Sequence, residues 1–424
     1  MITFAGCILK RNSKLYYSDI MEFLNLSLEF LESKNAIHTA KEICQQPEMW
    51  KKTYEKTLEE KSQLLHFLQK IRHANDPLVI LSGAGTSAFI GETLTGPFQK
   101  NWGINCKSVS TTDIITHPDN CFIKTKPTLL ISFARSGNSP ESLQTCKLAR
   151  KYCDDLYELN ITCNAQGELA GQSNSERLFT LLLPEETNDI SLAMTSSYSS
   201  MLLAGLLIGH IEEIERLDTI VSKVCQLGQH ILDKYTDDLK KMAETDFERM
   251  VFLGSGPLAG VAHESHLKVQ EMSNGKVICK YDSFLGFRHG PKAVVNAGTI
   301  IVYLFSNQSY PGLYERDLVR SVNKTAAGER SIAIGNGFDD KASRHDMPDR
   351  FQDEIHKQSE ALRFDLSVRF PNEINELPEE FLPVFCILPA QIIAFFKSMH
   401  VGLSPDSPSE NGAISRVVQG VNIY

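Results

Sequence analysis

Several signals are missing from this chain, and each absence narrows what it can be. There are ten cysteines but no Cys-x-x-Cys pair, so the sequence carries neither a paired-thiol metal site nor a dithiol redox motif. The cysteines are scattered through apolar runs, as at Cys121, Cys163, Cys279 and Cys386, which fits reduced, partly buried thiols in a cytosolic protein. There is no uninterrupted run of about 18 apolar residues, the length a membrane helix needs. At the start, Met1 to Lys14, a short apolar run precedes the basic residues, whereas a secretory signal has them in the opposite order. Met21 opens a more amphipathic stretch and reads as the natural start of translation. A basic excess is also missing. The net charge is −9, and eleven Lys/Arg are balanced by ten Asp/Glu through residue 76. That argues against a DNA-binding arm and against an anionic-membrane partner. It leaves room for an anionic substrate, because a local site can be positive inside an acidic protein.

What is present suits a soluble α/β protein of two domains. The chain has 424 residues, 42% of them hydrophobic and 22% charged, enough apolar sequence for two cores. Residues 21–75 have apolar positions at helical spacing. Then short buried-type strands alternate with helices: Pro77-Leu-Val-Ile-Leu81, Thr128-Leu-Leu-Ile-Ser-Phe133, Leu156-Tyr-Glu-Leu-Asn-Ile-Thr162 and Leu178-Phe-Thr-Leu-Leu-Leu183. Such alternation predicts a mostly parallel sheet covered on both faces. A helical region follows over about 195–245. The pattern then restarts with Met250-Val-Phe-Leu253, Thr299-Ile-Ile-Val-Tyr-Leu-Phe305 and Ser331-Ile-Ala-Ile334, before an apolar helix near 380–402. Leu81-Ser-Gly-Ala-Gly and Leu253-Gly-Ser-Gly-Pro hold equivalent places, so one α/β unit is read as duplicated. The expected division is a helical segment 1–75, a first α/β domain 76–215, a connecting helix 216–245 and a second α/β domain 246–424.

Glycine- and hydroxyl-rich turns between a strand and a helix suit anions, since the backbone can approach and the helix N-terminus offers free N–H groups. The first half has two, Gly83-Ala-Gly-Thr-Ser87 and Ser136-Gly-Asn-Ser139, and a third hydroxyl cluster, Thr195-Ser-Ser-Tyr-Ser-Ser200, opens the helix after Met194. Any one of them is an ordinary helix cap; three in one half point to a phosphate. Neither turn has the Gly-Lys-Ser/Thr ending of a nucleotide-binding P-loop. Gly254-x-Gly256-x-x-x-Gly260 departs by one residue from the dinucleotide fingerprint, and no clean strand ending in an acid follows it. No cofactor is expected.

In the second half Glu264, Lys268 and Glu271 are spaced i, i+4, i+7 beside the apolar stripe of Leu258, Val261, Ala262, Val269 and Met272. By spacing alone they read as an exposed Glu–Lys pair. His289 lies in the turn Gly286-Phe-Arg-His-Gly-Pro291, and by itself is one loop histidine among twelve. His263 and His266 are three apart on the helix with no third ligand evident, so no metal is expected.

The pairing of Gly-Ala-Gly-Thr-Ser-Ala with Ser-Phe-Ala-Arg-Ser-Gly-Asn-Ser-Pro-Glu-Ser resembles the sugar isomerase (SIS) family. The resemblance extends over roughly 75–215 and 245–424. It implies two tandem flavodoxin-like domains and a phosphorylated sugar as substrate, with Ser87, Ser136 and Ser139 on the phosphate and Thr86 and Ser196 nearby. Where the family often has Ser-Gln-Ser-Gly, this chain has Ala134-Arg135-Ser136-Gly137, and Arg135 could assist the phosphate or pair with a carboxylate. Two further segments, His38 to Trp50 and Asp406 to Val421, resemble the group within the family comprising galactosamine-6-phosphate deaminases and tagatose-6-phosphate ketose/aldose isomerases.

The isomerase half of glucosamine-6-phosphate synthase is similar too, with a Glu-x-x-x-Lys-x-x-Glu helix before a His-Gly-Pro turn. That likeness implies that Glu264, Lys268, Glu271 and His289 are the acid/base set. Glu271 would shuttle a proton between C1 and C2. His289 would assist ring opening, reaching in from a neighbouring subunit of a homodimer or higher homo-oligomer. Arg416 stands near the place of a C-terminal lysine in that relative, and an arginine there is limited to an electrostatic role. With no glutaminase domain to supply ammonia, the implied reaction is a deaminating isomerisation of galactosamine 6-phosphate to tagatose 6-phosphate in the cytoplasm. The alternatives are plain ketose/aldose isomerisation or a non-catalytic sensor, the latter disfavoured by the intact Glu271 and His289. The segment 336–380, with Arg344, His345, Asp346 and Asp349, reads as a solvated loop.

Overall fold

The computed structural model describes residues 22–325, 327–338, 361–371, 374, 376–418 and 420–424. The expectations for Met1 to Lys14, for Met21 and for Arg344, His345, Asp346 and Asp349 lie outside those residues.

A short antiparallel hairpin, β1 (Glu22–Phe23) with β2 (Leu26–Ser27), precedes the expected helices, Leu28–Ser33, Ile37–Cys44, Gln46–Glu59 and Lys61–Arg72. Two five-stranded parallel sheets follow. The first consists of β3 (Leu78–Ser82), β4 (Asn105–Ser108), β5 (Thr128–Ala134), β6 (Leu156–Thr162) and β7 (Leu178–Leu182), in the order β4-β3-β5-β6-β7. The second consists of β8 (Arg249–Leu253), β9 (Ile278–Asp282), β10 (Thr299–Leu304), β11 (Arg330–Ile334) and β12 (Leu366–Val368), in the order β9-β8-β10-β11-β12. Both have the flavodoxin-like 2-1-3-4-5 order, so the duplication extends to topology.

The central strands β3, β5, β6 and β10 are buried at every position, as expected for parallel strands covered on both faces. Alternate residues face different cores. Val79 and Leu81 of β3, like Met250 and Phe252 of β8, enter one large cluster shared by both halves. Leu78 and Ile80 enter a smaller cluster under the outer helices of the first half, and Val251 and Leu253 one in the second.

The shared core is filled by helices apolar on all sides. Ser196–Gly209 is buried at every residue. The sequence has no unbroken apolar run of membrane length, yet the helical stretch Glu379–His400, 22 residues, is long and apolar enough to match a membrane span. Its apolarity is explained by packing: its most apolar 18 residues are buried, and its Leu388–His400 part lies against the Asp218–Ala243 and Pro257–Met272 helices. The cysteines among the described residues are all free.

Candidate active site

Two strands and two helices converge on the first-half turns. β3 ends at Ser82 and the next helix begins at Thr86; β5 ends at Ala134 and the next helix begins at Pro140. Because β3 and β5 are adjacent and their connections leave to opposite sides, this is the point where the strand order reverses, the usual ligand crevice of such sheets. Gly85 has φ 54 and ψ −127, a conformation that favours glycine. A Cβ on Gly83 would stand 2.5 Å from the Ser87 carbonyl. The helices that start at Thr86 and Pro140 have no side-chain cap at their N-termini. No side chain therefore occupies these helix ends, and their dipoles face the crevice.

The crevice is a cavity of about 100 Å³ lined by Ala84, Ser87, Ser136, Ser139, Ser142 and Met194 from the first half and by Arg416, Val417 and Val418 from the C-terminal segment. It is smaller than the roughly 300–1,000 Å³ of drug-sized sites and suits a phosphate group rather than a whole sugar. Ser139 Oγ donates to Ser142 Oγ at 2.6 Å, and Ser136 Oγ accepts from Asn138 N at 3.3 Å. The structure thus brings Ser87, Ser136 and Ser139 to one cavity.

Ser196 is elsewhere. It is buried, its hydroxyl donating to Asp189 at 2.7 Å and accepting from Gln45 at 2.8 Å. The physical reason is charge. The Asp189 carboxylate accepts from the backbone N–H groups of Thr195, Ser196 and Ser197, so the third helix N-terminus already holds an anion of its own. Arg135 lines the cavity beside Ser87, Ser136 and Ser139, and its hydrogen bonds go to main chain rather than to a carboxylate. Its guanidinium is buried and donates to three main-chain carbonyls: Ser191 at 3.2 Å, Leu192 at 3.1 Å and, at closer range, Arg416. Burial lowers its pKa, with Asp189 and Glu271 acting the other way. Arg416 in turn donates through Nε to Asp189 O and through Nη2 to Asn188 Oδ1, both at 2.8 Å. The two arginines pin the C-terminal segment over the cavity.

The acid/base candidates of the second half lie on the Pro257–Met272 helix. Glu264 and Lys268 are 0% and 1% exposed and Glu271 is 15% exposed at the side chain, so the exposed-pair reading is replaced by a buried triad. Lys268 Nζ is 3.2 Å from Glu264 Oε1 and donates closely to Glu271 Oε1. Burial raises Glu264 to about 8 against the pull of Lys268. For Lys268, burial acts downward, but Glu264 and Glu271 outweigh it and the net shift is upward. Both shifts point to a lysine that keeps its proton and a Glu264 that takes one near neutrality. Thr86 Oγ1 donates to Glu264 Oε1 at 3.3 Å, linking the first-half glycine turn to this triad across the two halves.

The helices carrying these groups run antiparallel: Thr86 meets Glu264, and further along Thr93 meets Gly260. The crevice end of one therefore faces the Glu271 end of the other, and Glu271 acts electrostatically on Arg135. His289 is exposed on its turn and does not line the cavity.

The second half repeats the turn without the site. Gly256 has φ 56 and ψ −131, nearly those of Gly85, and an added Cβ on Gly254 would stand 2.3 Å from the Leu258 carbonyl oxygen. Leu258, however, stands where Ser87 does and is buried in the core. In the turn after β10, Ser306 N–H donates to Glu315 at 3.1 Å and the Ser306 hydroxyl donates to Glu379. The second half fills its own anion-binding turn with carboxylates.

Some residues that shape the site had no assigned role in the sequence, and Asp189 had no motif around it at all. Glu42, which accepts from Ile190 N at 2.5 Å and Ser191 N at 3.2 Å, lies in the His38–Trp50 segment. Asp406, at the start of the other group-specific segment, caps the Ile37–Cys44 helix by accepting from His38 N and Thr39 N at 3.1 and 2.7 Å. The two segments brace each other beside the cavity.

No family model matches the chain. It is 36% identical over 406 residues to the D-galactosamine-6-phosphate deaminase AgaS of Shewanella sp. (strain ANA-3), covering 95% of each chain. A crystal structure from Clostridium novyi NT, described as a tagatose-6-phosphate ketose/aldose isomerase, superposes with a TM-score of 0.86 at 36% identity, covering 96% of this chain and 99% of that one. The C-terminal domain of glucosamine-fructose-6-phosphate aminotransferase from Francisella tularensis superposes with a TM-score of 0.68 at 18% identity, covering 86% and 96%. That likeness is one of fold.

Proposed function

The chain belongs to the AgaS family of galactosamine-6-phosphate deaminases, and from that membership we propose that it converts galactosamine 6-phosphate and water to tagatose 6-phosphate and ammonia. The observation that carries the proposal is the buried Glu264–Lys268–Glu271 triad facing an uncapped, hydroxyl-lined anion crevice.

Ser87, Ser136, Ser139 and the two helix N-termini hold the phosphate. Glu271 removes the proton from C2 of the open-chain amino aldose, and electron density moves onto the C1 oxygen. Lys268 offsets that negative charge. Returning the proton to C1, with a second proton passing from nitrogen to the C1 oxygen, leaves a C2 imine with a C1 hydroxyl. Water adds to the imine carbon and ammonia departs, giving the ketose. A carboxylate suits the shuttle because it can take and return one proton on one face of the enediol-type intermediate.

Opening the pyranose requires a proton to pass from the anomeric hydroxyl to the ring oxygen, a task for His289. Its exposure is accommodated if it acts in the site of a second copy. Leu285, a large apolar residue left exposed beside this turn, supplies part of a surface for that homodimer. The free thiols fit a cytoplasmic location.

Ammonia release from galactosamine 6-phosphate by the purified chain tests the reading. Turnover of tagatose 6-phosphate to an aldose phosphate with no ammonia from the amino sugar would replace it with plain isomerisation. Phosphate-ester binding without either turnover would leave a sensor.

A further inference from the structure

Three aromatic rings are stacked where the two halves meet, and none has a place in the chemistry above. Phe89 is on the Thr86–Trp102 helix, one turn past the phosphate-binding end. His263 is on the Pro257–Met272 helix next to Glu264, and Tyr281 is on β9. The His263 ring lies between the other two. Its centroid is 3.6 Å from that of Phe89 with the planes at 26°, and 3.7 Å from that of Tyr281 with the planes at 14°. Its Nδ1 lies 2.8 Å from Glu92 Oε2, which assigns the ring proton to Nδ1 and fixes the ring's rotation. Glu92 belongs to the first-half helix, so His263 is held from that side by both a ring and a carboxylate. His266 is tilted beside it at 5.1 Å. Burial lowers the His266 pKa to about 4, so His266 adds no positive charge near neutrality.

The sandwich clamps three segments whose relative placement the reaction needs. The first begins at the phosphate turn. The second carries Glu264, Lys268 and Glu271. The third passes from Asp282 into the turn that ends at His289. The two helices also meet at Gly260, where an added Cβ would stand 2.1 Å from Thr93 Oγ1 and 2.9 Å from Phe89 O, and at the Thr86–Glu264 hydrogen bond. The stack lies between these two contacts. It adds the one element they leave out, tying β9 to the same joint.

We propose that His263 is a positioning residue for the proton transfer, keeping the phosphate-turn helix, the acid/base helix and the strand leading to His289 in register by stacking between Phe89 and Tyr281. The proposal rests on the reading of the site as a deaminating isomerase. His263 acts through the backbone it fixes, so its loss affects the alignment of Glu271 with the bound sugar. Phosphate binding is set by the first-half turns and the C-terminal segment that line the cavity, none of which His263 touches, and stays.

The test is ammonia release from galactosamine 6-phosphate by the full chain, with inorganic phosphate as competitive inhibitor, for the wild type, His263→Ala and His263→Phe. His263→Ala should lower kcat about tenfold or more, with the phosphate inhibition constant within about twofold of wild type. His263→Phe restores a ring without the Glu92 contact and should recover most of kcat. Equal kcat in all three proteins overturns the proposal. So does a loss that phenylalanine leaves unrelieved, or a parallel loss of phosphate inhibition. If His263→Ala fails to fold, Tyr281→Leu on the sheet edge removes one face of the stack and must give the same kcat-specific loss. A wild type inactive on both galactosamine 6-phosphate and tagatose 6-phosphate refutes the functional reading and this role with it. An active wild type with unresponsive His263 and Tyr281 variants refutes this role alone.

Discussion

Replacing Lys268 with methionine keeps the length and apolar stem of the side chain and removes one charge from a site that is closed to water. Lys268 is 1% exposed and touches both Glu264 and Glu271. Breaking a buried ion pair from one side costs about 3–5 kcal/mol because the partner's charge is left without compensation. The cost should fall below that range, to about 2–3 kcal/mol, because Glu264 can discharge itself by taking a proton; burial already raises it to about 8. The loss in catalysis is separate. Removing a group that offsets charge developing on the C1 oxygen should lower kcat about 10²–10³-fold. Urea unfolding measures the first term and ammonia release the second. The two should respond differently to pH. Stability of the variant should recover as pH falls from 8 to 5 and carboxylates neutralise, whereas kcat should not, since the missing cation acts in the transition state. A variant within about 0.5 kcal/mol of wild-type stability, outside the range of a buried pair, would refute the burial argument. Unchanged kcat would refute the role of the charge.

The contrast between two serines gives a second check. Ser87→Ala should raise KM for the phosphate ester with little effect on melting, and Ser196→Ala should lower stability by about 1 kcal/mol through the Asp189 network with KM unchanged. The reverse pattern would move the phosphate site. Arg135→Met should free the C-terminal segment, which it holds through the Arg416 carbonyl; faster limited proteolysis after residue 410 is the expected readout, and an unchanged cleavage rate would contradict the pinning. Glu315 is 1% exposed and raised from the ordinary 4.5 to about 8, first by burial. Its contribution to stability is therefore fully present below about pH 4.5 and is lost as pH rises toward about 8. Glu315→Gln retains an acceptor for Ser306 N–H and should flatten that decline, gaining on the order of 1–4 kcal/mol over wild type between pH 5 and pH 8. A pH-independent difference would place the charge elsewhere.

The fold was legible where burial forces a strong pattern. The seven strands read from apolar runs lie within a residue of the observed ones, because strands covered on both faces cannot hide their apolarity. Besides the short hairpin of β1 and β2, the strands that were missed, Asn105–Ser108, Ile278–Asp282 and Leu366–Val368, are all edge strands. An edge strand buries less and carries polar residues, as Asn105, Lys107, Lys280 and Asp282 do. The duplication was visible in two glycine turns because backbone geometry leaves no alternative residue there.

The site was legible in part. Glu264, Lys268 and Glu271 share a face by spacing alone, but spacing cannot say whether that face meets solvent or a second helix. Ser87, Ser136 and Ser139 sit directly after strand ends, and local sequence suffices to bring them together. Ser196 looked equivalent because it too begins a helix in a hydroxyl cluster. What separates it is Asp189, seven residues away with no motif around it, whose carboxylate already serves that helix end. Arg135 was open to two readings because its partners are main-chain carbonyls from two distant segments, and carbonyls leave no trace in a sequence.

The central claim is that this chain removes the amino group from a phosphorylated amino sugar by way of Glu271. Ammonia released from galactosamine 6-phosphate, measured side by side for the wild type and Glu271→Gln with inorganic phosphate inhibition as the control for binding, tests it most directly. The account predicts ammonia and tagatose 6-phosphate in equal amounts from the wild type, and from Glu271→Gln a loss of turnover with phosphate inhibition retained. Wild-type turnover without ammonia, or a Glu271→Gln protein that releases ammonia at the wild-type rate, would contradict it.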